Sequence, residues 1–171
     1  MKYTNYNMFY FLGGIILWYT IIFVFKTKTG SPSVMSKKIH IKKLVKYVKP
    51  GMRVADMGCG DAAALIEMIR AGAIKADGWE IEPAMWVMAQ INIGRAGMQD
   101  QVKVRFGDMW RADLSNYDLV YVYQLTRYAP KFVKKCKAEM KPGSVVIANT
   151  YPLKGMKIWK RDGKIIVYKI A

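Results

Sequence analysis

A buried strand that breaks into a glycine turn and then opens a helix leaves a chain few folds to choose from, and residues 53–71 have that form. Arg53-Val54-Ala55-Asp56-Met57-Gly58 reads as a short, mostly apolar strand. Gly58 and Gly60 follow, where a backbone without Cβ atoms lets a ligand approach closely. Asp61 can cap a helix over residues 62–71, rich in Ala, Leu, Ile and Met, and Gly72 suits its end. The start of that helix aims free N–H groups at whatever lies over the turn.

The same alternation continues along the chain. Residues 75–81 read as a second strand, and Pro83 opens a helix that runs to about Arg95. Val102 to Phe106 alternates as a third strand, and Leu119 to Tyr123 is a fourth. A basic helix over residues 130–140 precedes a fifth strand, Val145 to Asn149. Ile158-Trp159 and Ile165 to Tyr168 then flank Arg161-Asp162-Gly163-Lys164, a hairpin, because Asp-Gly supplies the positive φ of its turn. This order predicts an α/β domain over residues 53–171. Its core is a Rossmann-like, doubly wound, mostly parallel sheet with an antiparallel C-terminal hairpin. Ligands of such sheets bind beyond the carboxyl ends of the strands, so the functional residues are expected just after strands one to four.

Three acids stand at those ends. Asp56 lies beside the glycine turn, Glu80 ends the second strand, and Asp108 follows the third in Gly107-Asp108-Met109-Trp110. A carboxylate in the position of Glu80 can accept ribose hydroxyls. Asp108 is placed to accept from an adenine amino group, with apolar neighbours against the ring. The candidate cofactor-binding set is Asp56, Gly58, Gly60, Asp61, Glu80, Ile81, Asp108 and Met109. Gly58-x-Gly60-x-x-Ala63 also fits a dinucleotide fingerprint, a weak signal by itself. Charge separates the two readings. A pyrophosphate would meet Asp56 and Asp61, and each like-charge contact at 4 Å costs about 1–4 kcal/mol. A cationic nucleoside would gain from the same contacts.

On these residues the chain resembles the class I S-adenosylmethionine-dependent methyltransferases. Val54 to Gly60 looks like their first motif, Gly78-Trp79-Glu80-Ile81-Glu82-Pro83 like the second, and Phe106-Gly107-Asp108-Met109-Trp110 like the third. The resemblance implies that the first motif holds the methionine part of S-adenosylmethionine, Glu80 the ribose and Asp108 the adenine. A narrower likeness is to the small membrane-anchored protein lysine methyltransferases related to the ATP synthase c-subunit lysine methyltransferase. It rests on an apolar N-terminal helix, a Pro-Ser linker, a compact domain and the run Gly107 to Asp118. Ala62 departs from the pattern, standing where a third glycine is common and crowding the loop.

The resemblance implies methyl transfer to a lysine of a membrane protein. A lipid or lipophilic acceptor, and a non-catalytic membrane-tethered nucleotide-binding module, stay open on the residues alone. Tyr123 and Gln124, at the end of strand four, are the candidate catalytic residues on the acceptor side, and Tyr151 and Pro152 could line the same mouth. No histidine falls in the expected site, so no general base stands out. Asp61 has a bland reading as a helix cap, Glu82 as a helix-start charge, Trp79 and Trp110 as packing. Cys59 and Cys136 give neither a disulfide framework nor a metal-ligand spacing, and no metal is expected.

The N-terminus has a different composition. The run from Met8 to Phe25 carries no charge and approaches the roughly 20 residues a helix needs to span a bilayer. Residues 1–29 are therefore expected to be a transmembrane anchor. No small-residue cleavage site follows Phe25, as a signal peptide would require. Every charged residue before Asp56 is basic, and only Lys2 precedes the apolar run, so the domain is expected on the cytoplasmic side of a single-pass protein. Gly30-Ser31-Pro32-Ser33 reads as a linker within residues 30–52, and Ile41, Leu44, Val45 and Val48 mark an amphipathic helix with lysines between them. The net charge of +16 calls for an acidic partner surface. Anionic lipid at the basic juxtamembrane helix is the first expectation, and nucleic acid ranks last.

Overall fold

The computed structural model describes residues 8–14, 16–17, 20 and 36–171. The strands are β1 (Arg53–Met57), β2 (Lys75–Glu80), β3 (Val102–Phe106), β4 (Leu119–Val122), β5 (Val145–Asn149), β6 (Ile158–Asp162) and β7 (Ile165–Lys169). The helices of the domain are α1 (Lys38–Leu44), α2 (Ala63–Arg70), α3 (Pro83–Ala96) and α4 (Ala129–Glu139).

All seven strands form one sheet in the order β3-β2-β1-β4-β5-β7-β6. β1 pairs in parallel with β2 and β4, and β5 continues the parallel set beside β4. Only β7 is reversed: it pairs antiparallel with β5, Asn149 opposite Ile165, and with the edge strand β6. The strand order reverses at β1 and β4, so their carboxyl ends open the crevice in which such sheets bind ligands. β4 and β5 are buried along their whole length, which explains their unbroken apolar sequences.

Alternate residues feed two cores. Val54, Ala76, Leu119, Tyr121 and Ile147 pack with residues of α1, α2 and α3 on one face. Ala55, Val120, Val122, Val146 and Ala148 pack with Phe132, Val133 and Cys136 of α4 on the other. That second face has little helix. The β3-to-β4 connection holds only a 3₁₀ turn, Met109–Arg111, followed by Ala112, Leu114 and Tyr117, which bury themselves in the core. No helix separates β5 from β6.

Ile41, Leu44 and Val48 bury the inner stripe of the expected amphipathic helix. α1 is thus an integral part of the compact unit Ser33–Ala171. β6 extends to Asp162, further than its apolar start, because pairing with β7 satisfies a strand whose own side chains are largely exposed. The expected membrane helix over residues 8–25 lies largely outside the described residues. Residues 8–14, 16–17 and 20 are helical, and among the described residues no helix is long and apolar enough to cross a membrane.

Candidate active site

The carboxyl end of β1 leads into a turn whose backbone only small residues accept. Gly58 and Gly60 have φ of 85° and 55°, and Ala62 follows at 66°, a left-handed conformation that costs a residue with a Cβ roughly 1–2 kcal/mol. The departure from glycine at Ala62 is therefore accommodated by strain, with the methyl group fully buried. The Cys59 N–H and Gly58 N–H both bond to the Trp79 carbonyl at 3.0 Å, which fastens the turn to β2. Asn92 Nδ2 donates to the Asp61 carbonyl at 3.0 Å and ties in α3.

Glu80 completes this turn. Its Oε2 accepts the Gly60 N–H at 2.8 Å, and its Oε1 accepts those of Ile81 and Glu82, each at 2.8 Å. A carboxylate has roughly four acceptor sites. Backbone donors therefore leave Glu80 room for about one ligand hydroxyl, on Oε2, rather than for both ribose hydroxyls from the protein side.

Asp56 is the buried acid of the site, only 3% exposed. Burial, then Glu80 and Asp61, raise its pKa well above the ordinary carboxylate range. Its carboxylate has no hydrogen bond or ion pair among the described residues. Asp61 is half-buried and accepts the Ala63 N–H at 3.2 Å, but the N-cap position expected of it falls one residue later, at Ala62. The structure thus gathers Asp56, Asp61 and Glu80 around one glycine turn. All three push up the pKa of Cys59, whose thiol burial already protects, so Cys59 is no nucleophile.

Asp108 lies beyond the β3 residue paired with Glu80, and the intervening Gly107 N–H bonds to the Glu80 carbonyl at 2.9 Å. Its Oδ1 accepts the Trp110 N–H at 3.0 Å and caps the 3₁₀ turn. Ile81 and Met109 flank these acids and are both half-buried. Phe106, 54% exposed although apolar, stands opposite Glu80 in the β2–β3 register and meets Trp86 edge to face.

At the neighbouring strand ends two of the acceptor-side candidates come together. The rings of Tyr123 and Tyr151 lie 6.2 Å apart at an interplanar angle of 32°. Gln124 is buried, and neither its Nε2 nor its Oε1 has a partner. Beneath them runs a network that residue patterns did not reveal. Tyr121, paired with Asp56 across β1 and β4, shares a 2.7 Å hydrogen bond with Ser36 Oγ and accepts from Asn149 Nδ2 at 2.8 Å. The available signal was a tyrosine at an inward position of an otherwise aliphatic strand, which needs a partner for its hydroxyl. No group of His, Cys, Asp and Glu among the described residues could hold a metal ion.

A buried acid without a protein cation, two further carboxylates beside it and a glycine turn open to close approach form a seat for a cationic nucleoside. A pyrophosphate would meet net repulsion there.

Comparison with known proteins agrees with this geometry. A family model described as the ANTKMT methyltransferase domain matches residues 56–160. The ATP synthase c-subunit lysine N-methyltransferase of Rattus norvegicus is 27% identical over 126 residues, covering 73% of this chain and 58% of that protein. The adenine nucleotide translocase lysine N-methyltransferase of Mus musculus is 27% identical over 105 residues, 61% of this chain and 45% of that protein. The chain thus spans about half the length of these curated relatives. A crystal structure of an RNA methyltransferase from Salinibacter ruber in complex with S-adenosyl-L-homocysteine matches with a TM-score of 0.73 at 24% identity, over 80% of this chain and 92% of that one. That likeness concerns the fold.

Proposed function

The chain belongs to the ANTKMT methyltransferase domain family, and from that premise we propose that it transfers a methyl group from S-adenosylmethionine to a lysine of a membrane-associated protein. The observation that carries this reading is the buried carboxyl of Asp56, which has no protein cation beside it among the described residues and lies next to Asp61 and Glu80. The names of the two lysine methyltransferase relatives support the acceptor class.

When bound, S-adenosylmethionine supplies a methyl group on a sulfonium, ready for in-line displacement by an amine. Asp56 and Asp61 offset the positive charge of the amino and sulfonium groups, and the open turn at Gly58 gives the methionine part its approach. The free acceptor site on Glu80 Oε2 takes a ribose hydroxyl, Asp108 faces the adenine amino group, and Ile81, Met109 and Phe106 offer apolar surface to the ring. Tyr123 and Tyr151 border the entrance for the lysine side chain, with Gln124 beside them to orient the amine. The lysine loses its proton to solvent before transfer, so the chain needs only to align the nitrogen. Such alignment is worth up to about 7–11 kcal/mol in favourable systems.

The uncharged run of residues 8–25 and the wholly basic flank that follows support a single N-terminal anchor with the catalytic domain on the cytoplasmic side. An anchored enzyme meets acceptors close to the bilayer, which fits a membrane-associated substrate.

The test is methyl transfer from labelled S-adenosylmethionine into isolated membranes, with protease and lipase treatment of the product and mass spectrometry of labelled peptides. Label on lysine is the expected result. Label that survives protease but yields to lipase replaces the protein acceptor with a lipid. An Asp56→Ala chain that binds the cofactor with unchanged affinity overturns the site itself.

A further inference from the structure

We infer that the rim of the domain formed by the start of α1 and the β6–β7 turn docks onto anionic lipid headgroups and holds the mouth of the site against the bilayer. The inference rests on the membrane-anchored reading above and identifies the surface that such a protein would turn toward its membrane.

Pairing geometry places this surface. β7 starts at Ile165, opposite Asn149 at the carboxyl end of β5, and the Thr150 N–H bonds to the Lys164 carbonyl at 2.7 Å. The hairpin turn therefore sits at the same rim as Tyr151 and the other acceptor-side residues. The start of α1 reaches that rim too, because Ser36 bonds Tyr121 beside Asp56. Lys37, Lys38 and Lys164 are exposed there. His40 feels Lys164, Lys37 and Lys43 together, each pushing its pKa down after burial, so these lysines from two distant segments share one surface. The carboxylate of that turn, Asp162, is already neutralised by Lys43 at 2.6 Å and Lys46 at 3.8 Å. The rim therefore faces outward with a net positive charge.

Lipid fits this surface better than nucleic acid. Ile39 is 55% exposed and lies one turn before Lys43, on the side of α1 away from the buried Ile41 and Leu44. An aliphatic side chain among lysines suits the headgroup boundary of a bilayer. The chain also enters α1 soon after the uncharged run of residues 8–25, so the rim lysines are juxtamembrane in sequence. Each lysine close to an anionic surface strengthens binding about fivefold.

The experiment measures binding of the full chain to vesicles of phosphatidylcholine alone and to vesicles that also contain phosphatidylserine. Wild type is expected to bind the anionic vesicles more tightly. The triple variant Lys37→Ser, Lys38→Ser, Lys164→Ser is expected to lose about 100-fold of that gain, from roughly fivefold per lysine. A control with Lys103→Ser, Lys134→Ser and Lys141→Ser removes equal charge from elsewhere on the surface and is expected to keep most of the gain. Unchanged melting temperatures establish that both variants are folded. The proposal is overturned if phosphatidylserine brings no gain, if the rim variant keeps it, or if the control loses as much. Rim-dependent binding to single-stranded RNA without any gain from phosphatidylserine overturns it as well. The phosphatidylcholine arm reads the apolar run on its own, so a failure of anchoring and a failure of headgroup docking register separately.

Discussion

The Glu80 carboxylate accepts the Gly60 N–H at 2.8 Å, so the acid that ends β2 also holds the shape of the turn that follows β1. The proposed binding role and the architecture are coupled in this one side chain. Glu80→Gln places an amide donor against the Gly60 N–H when turned one way and against those of Ile81 and Glu82 when turned the other. It is expected to lower stability by about 1–3 kcal/mol and cofactor affinity by roughly 10- to 100-fold, the loss of a charge-assisted hydrogen bond. Urea unfolding and calorimetric titration with S-adenosylmethionine check the two effects on the same protein.

Asp56 shows the opposite balance. Its folded-state pKa lies above its unfolded value, so the unfolded chain ionises first as pH rises. The stability it contributes is present in full below the unfolded pKa and is lost as pH climbs through the raised folded value. Above the unfolded value, keeping this acid buried costs stability in the absence of a cationic ligand. Asp56→Asn is expected to gain about 0.5–2 kcal/mol, a rise of roughly 2–4 °C in Tm per kcal/mol, while cofactor affinity falls at least about tenfold. The stability difference closes as the medium is acidified through the window between the two pKa values. Wild-type affinity for the cofactor should weaken over that same descent. Thermal melts and titrations across the acid range measure both.

The parts of this fold that could be read from residues were the local ones. Strand-helix alternation and the glycine turn after Asp56 each follow from a few adjacent residues, and each appears where the pattern put it; the hairpin forms too, but its turn falls one residue later, on Gly163-Lys164, with Asp162 still paired to Ile165. Long-range pairings were hidden. Nothing near Ser36 indicates that its hydroxyl meets Tyr121 and, through it, Asn149, because the segments meet only once the sheet has assembled. The Asp77, Arg105 and Tyr117 cluster was equally silent, since an acid inside β2 looks like any other polar residue until its partners on β3 and in the following loop arrive. Glu80 stood out in the sequence as a candidate ligand-facing acid, yet its backbone contacts depend on a turn conformation that glycine permits but does not specify.

Gly78 illustrates a constraint of that hidden kind. A Cβ at this position would lie 2.6 Å from Cys59 Sγ and 2.7 Å from Leu65 Cδ1. The glycine therefore lets the turn and α2 close down on β2. Gly78→Ala is expected to destabilise the domain by about 1–3 kcal/mol through overpacking. Adding Cys59→Ala should recover part of the loss, since it removes the nearest atom but leaves the Cβ of residue 59, at 2.9 Å, and Leu65 in place. A double-mutant cycle by chemical unfolding measures the coupling.

Tyr117 provides a stability control away from the cofactor. Its hydroxyl donates to Asp77 Oδ2 at 3.0 Å, while Arg105 holds Oδ1 at 2.8 Å. Burial and the neighbouring Asp77 push the phenol pKa up, so Tyr117 stays a donor across the working range. Tyr117→Phe leaves one oxygen of a buried carboxylate short of a partner and should cost about 1–2 kcal/mol. Cofactor affinity is expected to stay within about twofold of wild type, because the cluster lies on the sheet face opposite Asp56.

Gln124 separates chemistry from stability most cleanly. Its amide is buried with both ends unpartnered, an arrangement that penalises the folded state whenever no ligand completes it. Replacing such a group with an apolar one of similar shape is neutral or stabilising, because no protein hydrogen bond is lost. Gln124→Leu is therefore expected to melt at or above the wild-type temperature and to bind S-adenosylmethionine unchanged. If the amide orients the acceptor amine, methyl transfer should fall on the order of tenfold, the effect of about one hydrogen bond. Single-turnover labelling of membranes with the variant supplies the rate, and a melting curve supplies the stability. A variant as fast as wild type would remove Gln124 from the acceptor side and leave the tyrosine pair, Tyr123 and Tyr151, as the remaining candidates for that role.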